Sequence, residues 1–394
     1  MRGEDGGTTA VVLSGGAAYA AYQVGVMKAL FQGRSAATAG RPLRAQIFAG
    51  TSMGAVNAAT MVSQPGADCR ATAGFLEDVW LNQYAADLGR CQEGAMRIRG
   101  APDNYWGLGC WARQPLKPLS WLVEDGLYYA REGLVRAATM LTSSGPLGRR
   151  VMESLQPVTR IDTDNFERIV ARTVDLAGVR RSDKVLRVTA TNWRTGKLRE
   201  FGNADMTDAV GHRAVHASAA FPGLPPILID GEPYMDGAVL LEAPTQAAWL
   251  AGADVMQLIY MDPDIDKIPL RRFDNFIDIV DKVYHMMLAD HFDRDVLLAH
   301  QINCGLAVLA RGAGPSTDEQ LRGVVRLAGR LTQVPPRLPP YRTLTMHCYH
   351  PSDDLGGPLG LLNWDRDHVQ GLIARGYSDA VEHDCQRSEC VLPE

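Results

Sequence analysis

Twice in its first sixty residues this chain runs a short apolar stretch into glycines and then into a helical pattern. That repetition narrows the possible folds more than any other feature. Val11-Val12-Leu13 enters Gly15-Gly16, and residues 18–32 follow with apolar spacing at Tyr22, Val26 and Leu30. Ala45-Gln46-Ile47-Phe48-Ala49 enters Gly50-Thr51-Ser52-Met53-Gly54, and a small-residue helix runs from Ala55 to Met61. Strand, glycine turn and helix, repeated in that order, predict a mostly parallel sheet covered by helices. Neighbouring strands of such a sheet end on the same edge, so the two glycine turns are predicted to lie side by side.

The rhythm breaks at residues 81–160, where Trp106, Trp111, Trp121, Tyr105, Tyr128 and Tyr129 sit among Gly, Pro and Arg. That segment reads as an inserted, partly helical, aromatic-rich cap. A helix over Asn165–Val179 precedes a hairpin, Lys184–Asn192 and Lys197–Phe201 around Thr195-Gly196. A helix from Asp205 to Ala220 stops at Phe221-Pro222-Gly223, and strands follow at Ile227–Asp230, Tyr234–Asp236 and Val255–Tyr260. Residues 265–394 read as a mainly helical extension, with helices at about 274–310, 317–333 and 366–375 and one strand at Leu344–Tyr349. With residues 1–9 as a flexible tail, 10–394 read as a single domain.

Composition bounds the function classes. A net charge of -5 does not point to nucleic acid, and no nucleic-acid partner is expected. No run of eighteen apolar residues is present and the N-terminus has no signal-peptide pattern, so a cytoplasmic or peripheral membrane protein is expected. Seven cysteines without a C-x-x-C pair argue against a disulfide framework or a zinc site, and Cys385 and Cys390 read as free thiols.

Gly50-x-Ser52-x-Gly54 has the form of a nucleophile elbow. A serine between strand and helix turns so sharply that its neighbours crowd the backbone, and its Oγ emerges where the helix dipole favours negative charge. The N–H groups around Gly15 and Gly16 suit an oxyanion. Asp236-Gly237-Ala238 ends a strand and offers a carboxylate that burial could turn into a base. His347, His350 and His368 lie downstream of Asp236 and keep a Ser, Asp, His order open.

Leu13-Ser14-Gly15-Gly16 with Ala21-Tyr22-Gln23-Val24-Gly25-Val26, then Gly50-Thr51-Ser52-Met53-Gly54-Ala55, then Ala217-Ser218-Ala219-Ala220-Phe221-Pro222 and Asp236-Gly237-Ala238 together resemble the patatin-like phospholipase family. Val188-Thr189-Ala190-Thr191-Asn192 is similar to the family's core strand before the aspartate. The resemblance implies a three-layer α/β/α fold and hydrolysis of fatty acyl esters in phospholipids or other lipids by a Ser–Asp dyad without histidine. It makes Ser52 the nucleophile and Asp236 the base, with Gly15, Gly16, Ala17 and the Met53 amide lining the oxyanion hole, and it implies no metal or organic cofactor. The partner it implies is an acyl lipid met by peripheral membrane contact, which the Trp, Tyr and Arg of the cap would suit. Three positions depart from the family pattern: Ala17 and Ala20 replace glycines, and Tyr19 replaces a basic residue. Two other readings stand beside this one: a catalytically weak patatin-like binding or scaffold protein, and a His-dependent serine esterase.

Overall fold

The computed structural model describes residues 7–64, 66–87, 89–142, 146, 161–261, 294–307 and 343–392. Its centre is an eight-stranded sheet: β1 (Thr9–Leu13), β2 (Ile47–Thr51), β3 (Val185–Asn192), β4 (Lys197–Gly202), β5 (Ile227–Ile229), β6 (Glu232–Asp236), β7 (Val255–Ile259) and β8 (Thr345–Tyr349). β8, β7, β1, β2 and β3 pair in parallel in that order. β3 then pairs antiparallel with β4 and β6, and β6 with β5. The mostly parallel sheet expected from the repeated strand–turn–helix unit is therefore observed.

Alternation along β1 divides the core into two apolar layers. Val11 and Leu13 face a cluster with Phe48, while Ala10 and Val12 face another with Ile47, Ala49 and Leu258. On the first side pack α1 (Ala21–Phe31), α2 (Met53–Val62), α3 (Cys69–Val79) and a later helix, Arg366–Val381. On the second lie Thr245–Leu250 and the helix at 294–307. This is the three-layer α/β/α arrangement. α1 is buried on nearly every side, which is why its sequence lacks a polar face.

The cap holds a 27-residue helix, α4 (Leu116–Thr142). A buried cluster ties it down: Arg97 donates two bonds to Asp125 at 2.8 and 3.0 Å and one to Asp162 at 3.0 Å. Trp121 packs inward, whereas Trp106 and much of the apolar face of α4 lie at the surface.

Four expectations need adjusting. Cys91 and Cys110 form a disulfide, so the reading of the cysteines against disulfides fails for this pair. The pair carries no spacing signature, because the short helix Leu108–Arg113 folds back beside residue 91 only in three dimensions. The helix over 165–179 is two helices, Asp164–Thr173 and Leu176–Arg181, with Asp175 capping the second. The helix expected from Asp205 spans only Gly211–Ser218, α5. The closing helix, α6 (Arg366–Val381), runs past the expected residue 375. The expected helix at 317–333 lies outside the described residues, as does most of that at 274–310.

Candidate active site

The register of β3 explains how two residues 184 positions apart come together. β2 runs along one edge of β3 and ends with Thr51 opposite Thr189. β6 runs along the same edge from the other direction and ends with Asp236 opposite Ala190. The other edge of β3 is taken by β4. β2 and β6 thus converge head-on and stop at adjacent positions, and Thr51 and Thr189 join their hydroxyls at 2.7 Å beneath the junction. The next residue after β2 is Ser52.

Ser52 takes φ 57° and ψ −131°, a conformation rarely occupied by a side-chain-bearing residue. Its surroundings hold it there. A Cβ on Gly50 would lie 2.3 Å from the Gly54 carbonyl oxygen, and one on Gly54 would lie 2.4 Å from that of Ser14, so neither can carry a side chain. The Ser52 N–H donates to Ser218 Oγ of α5 at 2.9 Å. A serine preceding a helix ordinarily caps its first amides. Here Ser52 Oγ instead donates to Asp236 Oδ2 at 2.7 Å, and makes no capping bond. The first amide of α2, that of Met53, has no acceptor within its own helix.

Asp236 is 2% exposed and Ser52 5%. Asp236 Oδ1 accepts the Ala238 N–H at 2.8 Å, which fixes the carboxylate plane. Burial pushes the Asp236 carboxyl up to about 7, against the opposing pull of the Ser52 hydroxyl and the Ala238 N–H. Gly237 turns the chain close to β3, where a Cβ would come within 2.7 Å of the Thr189 carbonyl oxygen.

The first glycine turn lies against the elbow, as the parallel sheet demands: Leu13 pairs with Gly50, and a Cβ on Gly15 would lie 3.2 Å from Ser52 Cβ. The Gly15 N–H is donated to the Glu242 carbonyl at 3.3 Å. Gly16 has φ 150° and Ala17 φ 44°, so Ala17 holds a left-handed conformation in place of glycine. Tyr19 is buried and donates its hydroxyl to the Gly357 carbonyl. Behind the loop, Gln23 Nε2 donates to the Ser14 carbonyl at 2.8 Å, and Asn57 Nδ2 of α2 donates to Gln23 Oε1 at 2.9 Å and to the Ala20 carbonyl at 3.1 Å. Trp80 Nε1 donates to Asn57 Oδ1 at 2.8 Å. This buried chain couples the glycine turn to the elbow helix.

Among the described residues, no histidine bonds to Ser52 or Asp236. His347 lies beside Cys385, His350 stacks on Tyr260, and His368 lies against Tyr19. Sequence reasoning passed over Ser218, Asn57 and Thr189 as supports. Ser218 and Thr189 fall within segments that carried the resemblance, but their partners are set only by the fold.

Fold and site together define a three-layer α/β protein with a serine at a strand-to-helix elbow facing a strand-end carboxylate. The chain belongs to the patatin-like phospholipase family, whose model matches residues 11–249. The family is one of lipid acyl hydrolases, and lipid hydrolysis is the activity that membership supports. Among solved structures, the chain is similar to VipD from Legionella pneumophila at 13% identity and a TM-score of 0.36, over 97% of this chain and 69% of that one. It is similar to the type III effector protein ExoU at 16% identity and a TM-score of 0.30, over 98% of this chain and 56% of that one. ExoU bound to SpcU, from the type III secretion system of Pseudomonas aeruginosa, matches at 22% identity and a TM-score of 0.22, over 55% of this chain and 38% of that one. No curated protein matches the sequence.

Proposed function

We propose that this protein hydrolyses fatty acyl esters of phospholipids or related lipids, with Ser52 as nucleophile and Asp236 as base. The observation that carries the reading is the buried 2.7 Å bond from Ser52 Oγ to a carboxylate raised to about 7. As Oγ attacks the acyl carbonyl carbon, its proton passes to Asp236 Oδ2. The carbonyl oxygen becomes an oxyanion beside the N–H groups of Gly16, Ala17 and Met53, and Gly15 keeps the space beside Ser52 open. Collapse expels the alcohol, which takes the proton from Asp236. Water then attacks the acyl-serine and gives a proton to Asp236; the bond from Ser52 Oγ to the acyl carbon breaks, Oγ takes the proton back from Asp236, and the fatty acid leaves.

A fluorophosphonate probe should label Ser52 rapidly, and a panel of phospholipids, lysophospholipids and acylglycerols should yield free fatty acid. A probe-inert Ser52 in folded protein, with no product from any of the panel, would sink the proposal. The exposed apolar face of α4, with Leu116 at 77% and Leu127 at 68% exposure and Trp106 nearby at 76%, supports peripheral contact with the lipid surface that holds the substrate.

A further inference from the structure

We propose that His347, His383, Cys385 and Cys390 form a structural zinc site that fastens the C-terminal segment to the outer strand of the sheet. One ligand atom from each of the four lies within 4.8 Å of the other three. Cys385 Sγ is 3.4 Å from His347 Nδ1 and 3.5 Å from His383 Nε2, and Cys390 Sγ is 3.5 Å from the same His383 nitrogen. A tetrahedral zinc with bonds of about 2.3 Å to sulfur and about 2.0–2.1 Å to nitrogen places S and N roughly 3.5 Å apart along each edge. The three measured separations are edges of such a tetrahedron. Two thiolates and two imidazoles also form a closed donor set that zinc favours, with no position left for substrate.

The surroundings fit a structural ion. The Cys348 N–H donates to Cys390 Sγ at 3.3 Å, the kind of bond that orients a ligating thiolate. The Tyr349 ring covers His383 at 4.3 Å between centroids. The ligands come from β8 and from the chain that returns after α6, where Val391 pairs with Met346 through bonds of 2.8 and 2.9 Å. Among the described residues, β8 is the last strand on its side of the sheet. The ion would hold residues 383–391 along that open edge, which unpaired would invite association with other chains. No C-x-x-C spacing announces the site, because its ligands converge from two segments 36 positions apart between His347 and His383.

The test uses the full chain, purified under reducing conditions without added chelator. About one zinc per chain should survive desalting, and Co²⁺ exchanged into the site should show the visible ligand-field and near-ultraviolet thiolate bands of a tetrahedral S₂N₂ centre. Cys385→Ser, Cys390→Ser and His383→Asn should each lower zinc content at least tenfold, whereas Cys304→Ser should not. Should a variant fail to fold, the wild type still decides: a strong chelator should speed hydrogen exchange at 383–391, and added Zn²⁺ should reverse it. Absence of bound zinc or cobalt in reduced, folded protein would overturn the proposal. So would a Cys385–Cys390 or Cys348–Cys390 disulfide in reduced preparations. Fluorophosphonate labelling of Ser52 is read separately, so failure here leaves the catalytic reading standing.

Discussion

Burial of Asp236 bears directly on the proposed chemistry. Held near pH 7, its carboxyl is protonated in mild acid and cannot take the serine proton. The kcat/KM for acyl hydrolysis should therefore rise with pH through about 7 and level above it. A profile flat from pH 5 to 8 would contradict the assignment of Asp236 as base. The same shift bears on stability. Between about 3.9, the unfolded value, and about 7, the folded state binds more protons, so Asp236 costs stability as pH rises through that window. Asp236→Asn should abolish hydrolysis and, relative to wild type, be more stable at pH 8 than at pH 4 in denaturant melts. Ser52→Ala should lose activity to a similar extent, because the two groups act in one step. Ala17 already holds its left-handed conformation, with φ 44°. Replacing it by glycine relieves strain of about 1 kcal/mol and adds unfolded-state entropy worth roughly 0.5–1 kcal/mol. Ala17→Gly should thus change stability little and kcat by less than threefold, whereas a tenfold fall would show that the loop needs its methyl group.

At the scale of elements, α1 and α6 cross in close contact. A Cβ on Gly25 would lie 2.0 Å from the Ile373 carbonyl oxygen, and one on Gly376 would lie 2.1 Å from that of Tyr22. Gly371 of α6 faces open space. Gly25→Ala should therefore destabilise by about 1–3 kcal/mol or more, since the helix must shift. Gly371→Ala should stabilise by up to about 1 kcal/mol through helix propensity. Thermal melts of the two variants moving in the same direction would refute this account. The strands β1 and β2, the β3–β4 hairpin and the elbow were legible because each declares itself within a short stretch of chain, whereas their order in the sheet was not. Nor were other features. The antiparallel entry of β6 depends on which edge of β3 is vacant, and the partners of Ser218 and Asn57 lie 166 and 23 positions away. The Cys91–Cys110 disulfide and the His–Cys cluster escaped for the same reason, since neither has a local spacing rule.

At the scale of the whole molecule, the surface is uneven. The cap exposes Leu116, Leu119, Leu122 and Leu127 along one helix, while Arg97, Asp125 and Asp162 lock its inner side. Among the described residues no helix is long and apolar enough to cross a bilayer. Leu119→Asp with Leu122→Asp should reduce cosedimentation with phospholipid vesicles at least fivefold and leave hydrolysis of a water-soluble ester unchanged. Equal vesicle binding by wild type and variant would remove the cap from the lipid-contact reading. Finally, the head-on meeting of β2 and β6 has a consequence for biogenesis. Ser52 is made first, and its carboxylate partner follows 184 residues later, on a strand that must pair with β3. A growing chain in which Asp236 has not yet emerged from the ribosome holds a serine without its base, and at ordinary elongation rates that interval lasts on the order of ten seconds or more. Under the proposed mechanism, hydrolysis is therefore a late event in maturation, beginning only once β6 has paired with β3.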